Sequence, residues 1–257
     1  MLIIGHRGAA AVAPENTVAS FVRALRDGAD GIEFDVRLSR DAVPVVIHDA
    51  RLKRTGRRRA AVSALTATEL QNVDVGSWFN RRHRGLARSE YSEERIPTLE
   101  QVLAATRETQ ALLYLELKSD GVVSQQLVKN VAALIGRHKL HERVIVESFT
   151  LGNLELVKQI DSGIKIAPLF EPKLEPLSLV SGRRIIKRAL RIGAEEIALH
   201  RSSVNQRVVS AAKDSGLAVV VWTVDSLAYV ARASRWGIKA IITNRPGEML
   251  RARDAAN

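Results

Sequence analysis

Residues 2–37, LIIGHRGAAAVAPENTVASFVRALRDGADGIEFDVR, decide the fold. The stretch opens and closes on short apolar runs, 2–5 and 31–37. Between them a helix-patterned segment starts behind Pro14 and Glu15 and stops at Gly28. Val18, Phe21, Val22, Leu25 and Ala29 fall on one stripe of 3.6-residue period, so the segment reads as a helix with a single apolar face. Strand, helix and strand in that order make a crossover unit joining parallel neighbours of a sheet.

Outward from this unit the rhythm continues to the end of the chain. Further strands are expected at 112–117, 144–148, 165–169, 196–200, 218–222 and 240–243, which with the first two makes eight. Helices are expected in TLEQVLAATRET from Thr98 and in SLAYVARASRWG from Ser226 to Gly237. Most strands are nearly continuous in apolar residues, as parallel strands covered on both faces should be. Eight such units predict an α/β fold of the closed (β/α)8 TIM-barrel type, one domain over 1–257. An open doubly wound sheet usually carries a glycine-rich phosphate loop, and the sequence has none.

The rhythm breaks once. Between the second and third barrel strands stands a short apolar run, PVVIHD, followed by about 45 residues of basic and mixed sequence, a length that compact domains rarely leave without structure. Residues 50–95 therefore read as a small basic insertion after the second strand, with a helix over 66–72 and VGSWFN, 75–80, as a packing or lid element.

Composition narrows the function classes. The 257 residues include no cysteine, which excludes disulfide scaffolds, zinc ribbons and thiol nucleophiles. A 46% hydrophobic and 26% charged composition is that of a globular protein, and no run approaches the ~18 apolar residues of a bilayer span. The opening MLIIGHRGAA lacks a basic leader and is interrupted by His6 and Arg7, so a cytoplasmic protein is expected. Lys and Arg total 39 against 28 acids, a net +11, and residues 50–95 hold eleven bases against five acids, or +6 of it. The run 51–59, RLKRTGRRR, has three readings: a solvated face, a nucleic-acid contact, or an attractor of anionic phosphodiesters. No aromatic interleaves it, which argues against base stacking, and no specific nucleic-acid partner is expected.

Polar groups concentrate where strands should end, and strand C-termini form the catalytic face of a barrel. Strand one ends in Gly5-His6-Arg7-Gly8, and strand two carries Glu33 and Asp35 two apart, hence on one face. The 112–117 strand brings Glu116 and Lys118 together in the same way. PVVIHD ends near His48, strand six ends in His200 and strand seven in Trp222. Three carboxylates in one barrel mouth repel unless a cation sits among them, and an oxygen-only donor set suits a hard divalent ion, Mg²⁺ or Ca²⁺. Two histidines beside such an ion can act as general base and acid, and Arg7 and Lys118 suit an anionic substrate. Together they describe phosphoryl-ester chemistry. Asn16 and Thr17 read as local support for the His6 loop.

The segments GHRG, PENT, GIEFDVRLSRDAVPVVIHDARLKRTG, RIPTLEQVL, YLELK and VVWTVD occur in the order found in the glycerophosphodiester phosphodiesterase family, and the chain resembles that family from residue 5 to about 247. The resemblance implies a barrel with a small insertion after the second strand and hydrolysis of glycerophosphodiesters to glycerol 3-phosphate and an alcohol. It implies Glu33, Asp35 and Glu116 as metal ligands, His6 and His48 as the acid–base pair, Arg7 and Lys118 as phosphate binders, and Trp222 at the border of the substrate pocket. His200 is a substrate-side candidate by its place alone. The chain has Asp225 where the family often has Asn, and Asn244 where it often has Asp. Both lie on the return side of the barrel, where they are expected to bear on the substrate's alcohol. Two rivals remain: lysophospholipase D-type cleavage, which needs an apolar lip for which the insertion offers Trp78, Phe79 and Leu86, and a non-catalytic anion- or nucleic-acid-binding barrel. Beside a phosphate site, the basic run reads best as an electrostatic funnel for small anionic diesters.

Overall fold

A computed structural model describes residues 1–171 and 181–255. Its centre is a closed barrel of eight parallel strands: β1 (Leu2–His6), β2 (Gly31–Leu38), β4 (Leu112–Leu117), β5 (Val144–Ser148), β6 (Lys165–Phe170), β7 (Glu196–His200), β8 (Ala218–Trp222) and β9 (Ala240–Thr243). The ring closes where β1 pairs with both β2 and β9. Each of the eight lies within one residue of its expected bounds. The apolar run of PVVIHD adds a ninth strand, β3 (Pro44–Val46), antiparallel on the far end of β2. Pro44 is tolerated there because its missing N–H faces no further strand.

Alternation sorts the side chains into two cores. Ile4, Tyr114, Ile145, Ala167, Val220 and Ile242 fill the barrel interior, while Ile3, Phe34, Leu115, Val146 and their neighbours pack outward against the helices. The first helix, α1 (Val18–Arg26), is capped by Thr17, whose side chain accepts from Ser20 N at 3.2 Å. Thr98 makes a capping box with Gln101 at α4 (Leu99–Ala105). Gly237, left-handed at φ 73°, ends α9 (Ala228–Trp236) as a C′ glycine should.

Between β3 and α4 the chain builds a small subunit of structure with its own apolar cluster, including Leu52, Val62, Leu70, Val73 and Ile96. The helix expected over 66–72 is α2 (Ala67–Leu70), closed by a Thr66–Glu69 capping box. VGSWFN contributes α3 (Ser77–Arg82), and it is packing rather than lid: Phe79 is fully buried against Ala13 and Tyr91, beneath the loop that follows β1. No helix among the described residues is long and apolar enough to cross a membrane.

Candidate active site

Strand register assembles the site. His6 lies beside Glu33, Asp35 beside Glu116, and Glu116 beside Glu147, all pointing into the mouth of the barrel. Carboxylate oxygens of Glu33, Asp35 and Glu116 lie within 4.8 Å of one another, and all three residues are buried. The GHRG turn meets them from one side. A Cβ on Gly5 would sit 2.6 Å from Gly8 O, and one on Gly8 would sit 2.4 Å from Ser20 Oγ, so only glycines let the turn pack on α1. Between them Arg7 is left-handed (φ 49°) and turns its N–H onto Glu33 Oε2 at 2.9 Å. Its guanidinium reaches Asp35 Oδ2 at 3.1 Å and Glu15 at 2.7 Å. Lys118 Nζ lies 2.7 Å from Glu116 and 3.1 Å from Asp35.

The three acids are unlike in charge. Burial and the neighbouring Asp35 push Glu33 well above the usual carboxylate range, and burial lifts Glu116 to about 7. Burial opposes ionisation at Asp35 as well, but Lys118 and Arg7 outweigh it and hold that carboxyl low. Two cations thus neutralise part of a cluster that still holds more acid than two cations can ionise. An all-oxygen, buried and mutually repelling donor set fits a hard divalent cation, which would replace protons on Glu33 and Glu116.

The two histidines differ in what holds them. Asp225 accepts from Thr243 Oγ1 at 2.9 Å, from Asn244 N at 2.8 Å and from Asn244 Nδ2 at 2.7 Å. A carboxylate only accepts, so the Asn244 amide must turn its oxygen to His6 Nδ1, 2.8 Å away. His6 therefore carries its proton on Nδ1, and Nε2 is bare, 3.8 Å from Glu33. Burial, with Arg7 next, lowers its pKa to about 4. His48 Nδ1 instead meets a carboxylate, Asp49, at 2.7 Å. Burial lowers His48 too, but Asp35 and Asp49 pull the other way. The two departures from the family pattern are thus partners of one another and of His6. Asn244 makes the contact with His6, and Asp225 reaches it only through Asn244.

Support for these groups comes from residues that local pattern did not single out. Arg54 ties Asp49 (2.7 Å) to Glu15 (2.6 Å), and Glu15 holds Arg7, so one arginine of the basic run links His48 to Arg7 through two acids. Arg37 Nε donates to His48 O at 2.7 Å and its two terminal nitrogens chelate Asp120 at 3.0 Å each. Thr17, expected to support the His6 loop, instead caps α1 and donates to Pro14 O at 2.6 Å, while Asn16 does more. It donates to Asp35 Oδ2 at 2.8 Å and accepts from Asp35 N at 3.2 Å.

A cavity of about 640 Å³ joins these elements. His6, Arg7, Glu33, Glu116, Lys118 and His48 line one side, and Phe149, Trp222, Leu169 and Ile242 form an apolar wall, with Trp222 edge-on to Phe149 at 5.5 Å. His200 is not among the lining residues. It stands behind Trp222, ring centroids 5.2 Å apart, and caps the following turn by accepting from Ser202 N. At the cavity also stands Glu147, 1% exposed, with no hydrogen bond or ion pair to any described residue. Burial and the charges of Glu33 and Glu116 push it well above the carboxylate range. The alternation that picks out Glu33 and Asp35 also points Glu147 inward, but VIVES reads as a plain buried strand unless its single acid is noticed.

The profile of the Glycerophosphoryl diester phosphodiesterase family matches residues 6–248. YhdW of Bacillus subtilis is 34% identical over 247 residues, covering 96% of this chain and 95% of its own. A glycerophosphodiester phosphodiesterase of Caldanaerobacter subterraneus subsp. tengcongensis is 33% identical over 250 residues, covering 97% and 96%. Among solved structures, an Oleispira antarctica phosphodiesterase in complex with its product sn-glycerol-3-phosphate superposes with a TM-score of 0.86 at 25% identity, covering 99% of this chain and 97% of that one.

Proposed function

The chain belongs to the glycerophosphoryl diester phosphodiesterase family, and on that premise we propose that it hydrolyses glycerophosphodiesters to glycerol 3-phosphate and an alcohol at the mouth of its barrel. The observation that carries the reading is the layer of Glu33, Asp35 and Glu116 facing two histidines with different partners. Glu33, Asp35 and Glu116 would hold the divalent cation, Mg²⁺ or Ca²⁺, which when bound neutralises charge on the phosphoryl oxygens.

Arg7 and Lys118 line the cavity beside those acids and would orient the phosphate, Arg7 through its planar fork. His6, bare at Nε2 and backed by a neutral amide, is the general base. It takes the proton of the nucleophile, either water directly or the substrate's own glycerol 2-hydroxyl, the cyclic phosphate so formed then being opened to glycerol 3-phosphate by water. His48, whose Nδ1 rests on the Asp49 carboxylate, is better able to carry a second proton, and from Nε2 gives it to the leaving alkoxide. Asn244 and Arg37 position the two rings. The apolar wall of Phe149 and Trp222 covers the glycerol carbons. Glu147, without a partner among the described residues and facing the cavity, meets a glycerol hydroxyl.

The test is release of glycerol 3-phosphate from a panel of glycerophosphodiesters with Mg²⁺, Ca²⁺ or Mn²⁺ against a chelator control. Product that forms equally in chelator would sink the metal-dependent scheme. Of the three residues offered as an apolar lip for a lysolipid, Phe79 is buried and Trp78 is half-buried against it, which leaves Leu86, 43% exposed, and favours the small diester.

A further inference from the structure

The cavity has a second arm. It is an open depression of about 700 Å³ that shares Arg37, His48 and Asp120 with the lining of the cavity and is lined further by Arg51, Lys53 and Arg54. The arm begins at His48, the residue assigned above to the leaving oxygen, so whatever that oxygen belongs to extends into it. We infer that this arm is a subsite for a second anionic group on the leaving alcohol, a phosphate monoester or a further phosphodiester, and that such alcohols are the favoured substrates of the site read above.

The charges of the arm decide its ligand. Its two carboxylates are spent: Asp120 is chelated by Arg37, and Asp49 is held by Arg54 and His48. Neither is left for a cationic alcohol such as choline. Arg51 and Lys53 remain, both exposed and without a side-chain partner among the described residues. Their backbone is fixed. Leu52 between them is fully buried in the insertion core and bonds through its N–H to Ala60 O at 2.9 Å, while Arg51 pairs with Ala61 across the same hairpin. With Leu52 pointing inward, its two neighbours face the solvent side. Arg57, Arg58 and Arg59 at the hairpin tip, equally exposed, extend the positive field beyond the rim. A diffuse funnel would raise the arrival rate of any anion. Fixed, unpaired cations lining a depression continuous with the acid catalyst instead distinguish one leaving group from another.

The experiment compares glycerophosphoinositol, glycerophosphoinositol 4-phosphate and glycerophosphocholine with the metal-loaded enzyme, for the wild type and for Arg51→Ala/Lys53→Ala. The phosphorylated diester should show kcat/KM about tenfold above its parent, as one charge-assisted phosphate contact gives. The double variant should lose that preference and keep its rate on glycerophosphoinositol, and most of the wild-type preference should survive 0.3 M salt, where long-range steering is screened at about a Debye length of 6 Å. Equal kcat/KM for the two inositol diesters, or a preference untouched by the double variant, overturns the subsite while leaving the hydrolase reading intact. A preference abolished by salt in the wild type reduces it to steering and overturns it as well. Hydrolysis of none of the three diesters would instead defeat the reading on which the subsite rests.

Discussion

The floor and the mouth of the barrel both bury carboxylates, and they treat them in opposite ways. At the floor, Glu196 is 2% exposed, accepts from Tyr114 Oη at 3.0 Å and is paired with Lys239. At the mouth, Glu33, Asp35, Glu116 and Glu147 crowd together with Arg7 and Lys118 beside them, and the Glu147 side chain has no hydrogen bond or ion pair among the described residues. The acid at the floor is satisfied within the chain, so it contributes to one well-defined closure of the barrel. The acids at the mouth are only partly neutralised within the described residues, as a site awaiting a cation and a substrate would be. A buried polar group without a partner costs stability, and here that cost falls at the end of the barrel where ligands enter.

The sharpest way to break this contrast is to cut each end once. His48→Ala should lower kcat/KM on a glycerophosphodiester by about 10²–10⁴-fold while leaving the thermal midpoint nearly unchanged. Glu196→Ala should do the reverse, lowering unfolding free energy by about 1–3 kcal/mol, because Tyr114 Oη loses its acceptor, with kcat of the folded protein unaltered. Near wild-type turnover in His48→Ala would end the acid–base assignment.

Next in size is the pH dependence of metal binding. Burial lifts Glu116 to about 7 and, with the neighbouring Asp35, pushes Glu33 well above the usual carboxylate range, so at acidic pH both hold protons that a divalent cation must displace. Affinity should rise as pH climbs from 5.5 through about 7, with proton release visible as a dependence of calorimetric heat on buffer ionisation. The same raised pKa values mean that the metal-free protein loses stability as pH rises through 7, and that added cation restores most there. An affinity flat with pH would mean the acids are already ionised.

The His6 relay offers a smaller effect with a clear sign. Asn244→Asp alone sets two carboxylates side by side at Asp225 and should lower kcat. Adding Asp225→Asn keeps one carboxylate and one amide in exchanged order, should recover much of the rate, and should shift the acidic limb of kcat/KM upward, because His6 then rests on a carboxylate. Failure of the second change to rescue the first would separate the pair from His6. Smallest is Glu147→Leu, which should raise KM about fivefold through one lost hydrogen bond while holding or raising the thermal midpoint. Glu147→Gln should restore KM. A fall in stability on Glu147→Leu would move that residue into the company of Glu196.

Much of this was legible beforehand, for a reason that is local. Strand alternation alone sends Glu33 with Asp35 and Glu116 with Lys118 to one face, and eight repeats of strand and helix allow little but a closed barrel. His6 stands at the end of a barrel strand, where position along the chain is already position at the barrel mouth, whereas His48 reaches that mouth from the antiparallel β3. Glu147 obeyed the same rule and passed unnoticed as one acid in an apolar run. His200 obeyed it too, yet its ring stands behind Trp222, because position at a strand end does not say which of two neighbours reaches the cavity.

Tertiary structure alone decided who neutralises whom. Asn244 meets His6 across 238 positions, Arg54 joins the insertion to PENT, and Glu147 stands beside Glu116 only through the register of β4 and β5. The periods of 2 and 3.6 that sequence carries belong to single elements. Register, loop packing and the pairing of charges arise between elements, and the different surroundings of two similar histidines follow from the neutral amide that the closed barrel brings to one and the carboxylate that stands beside the other.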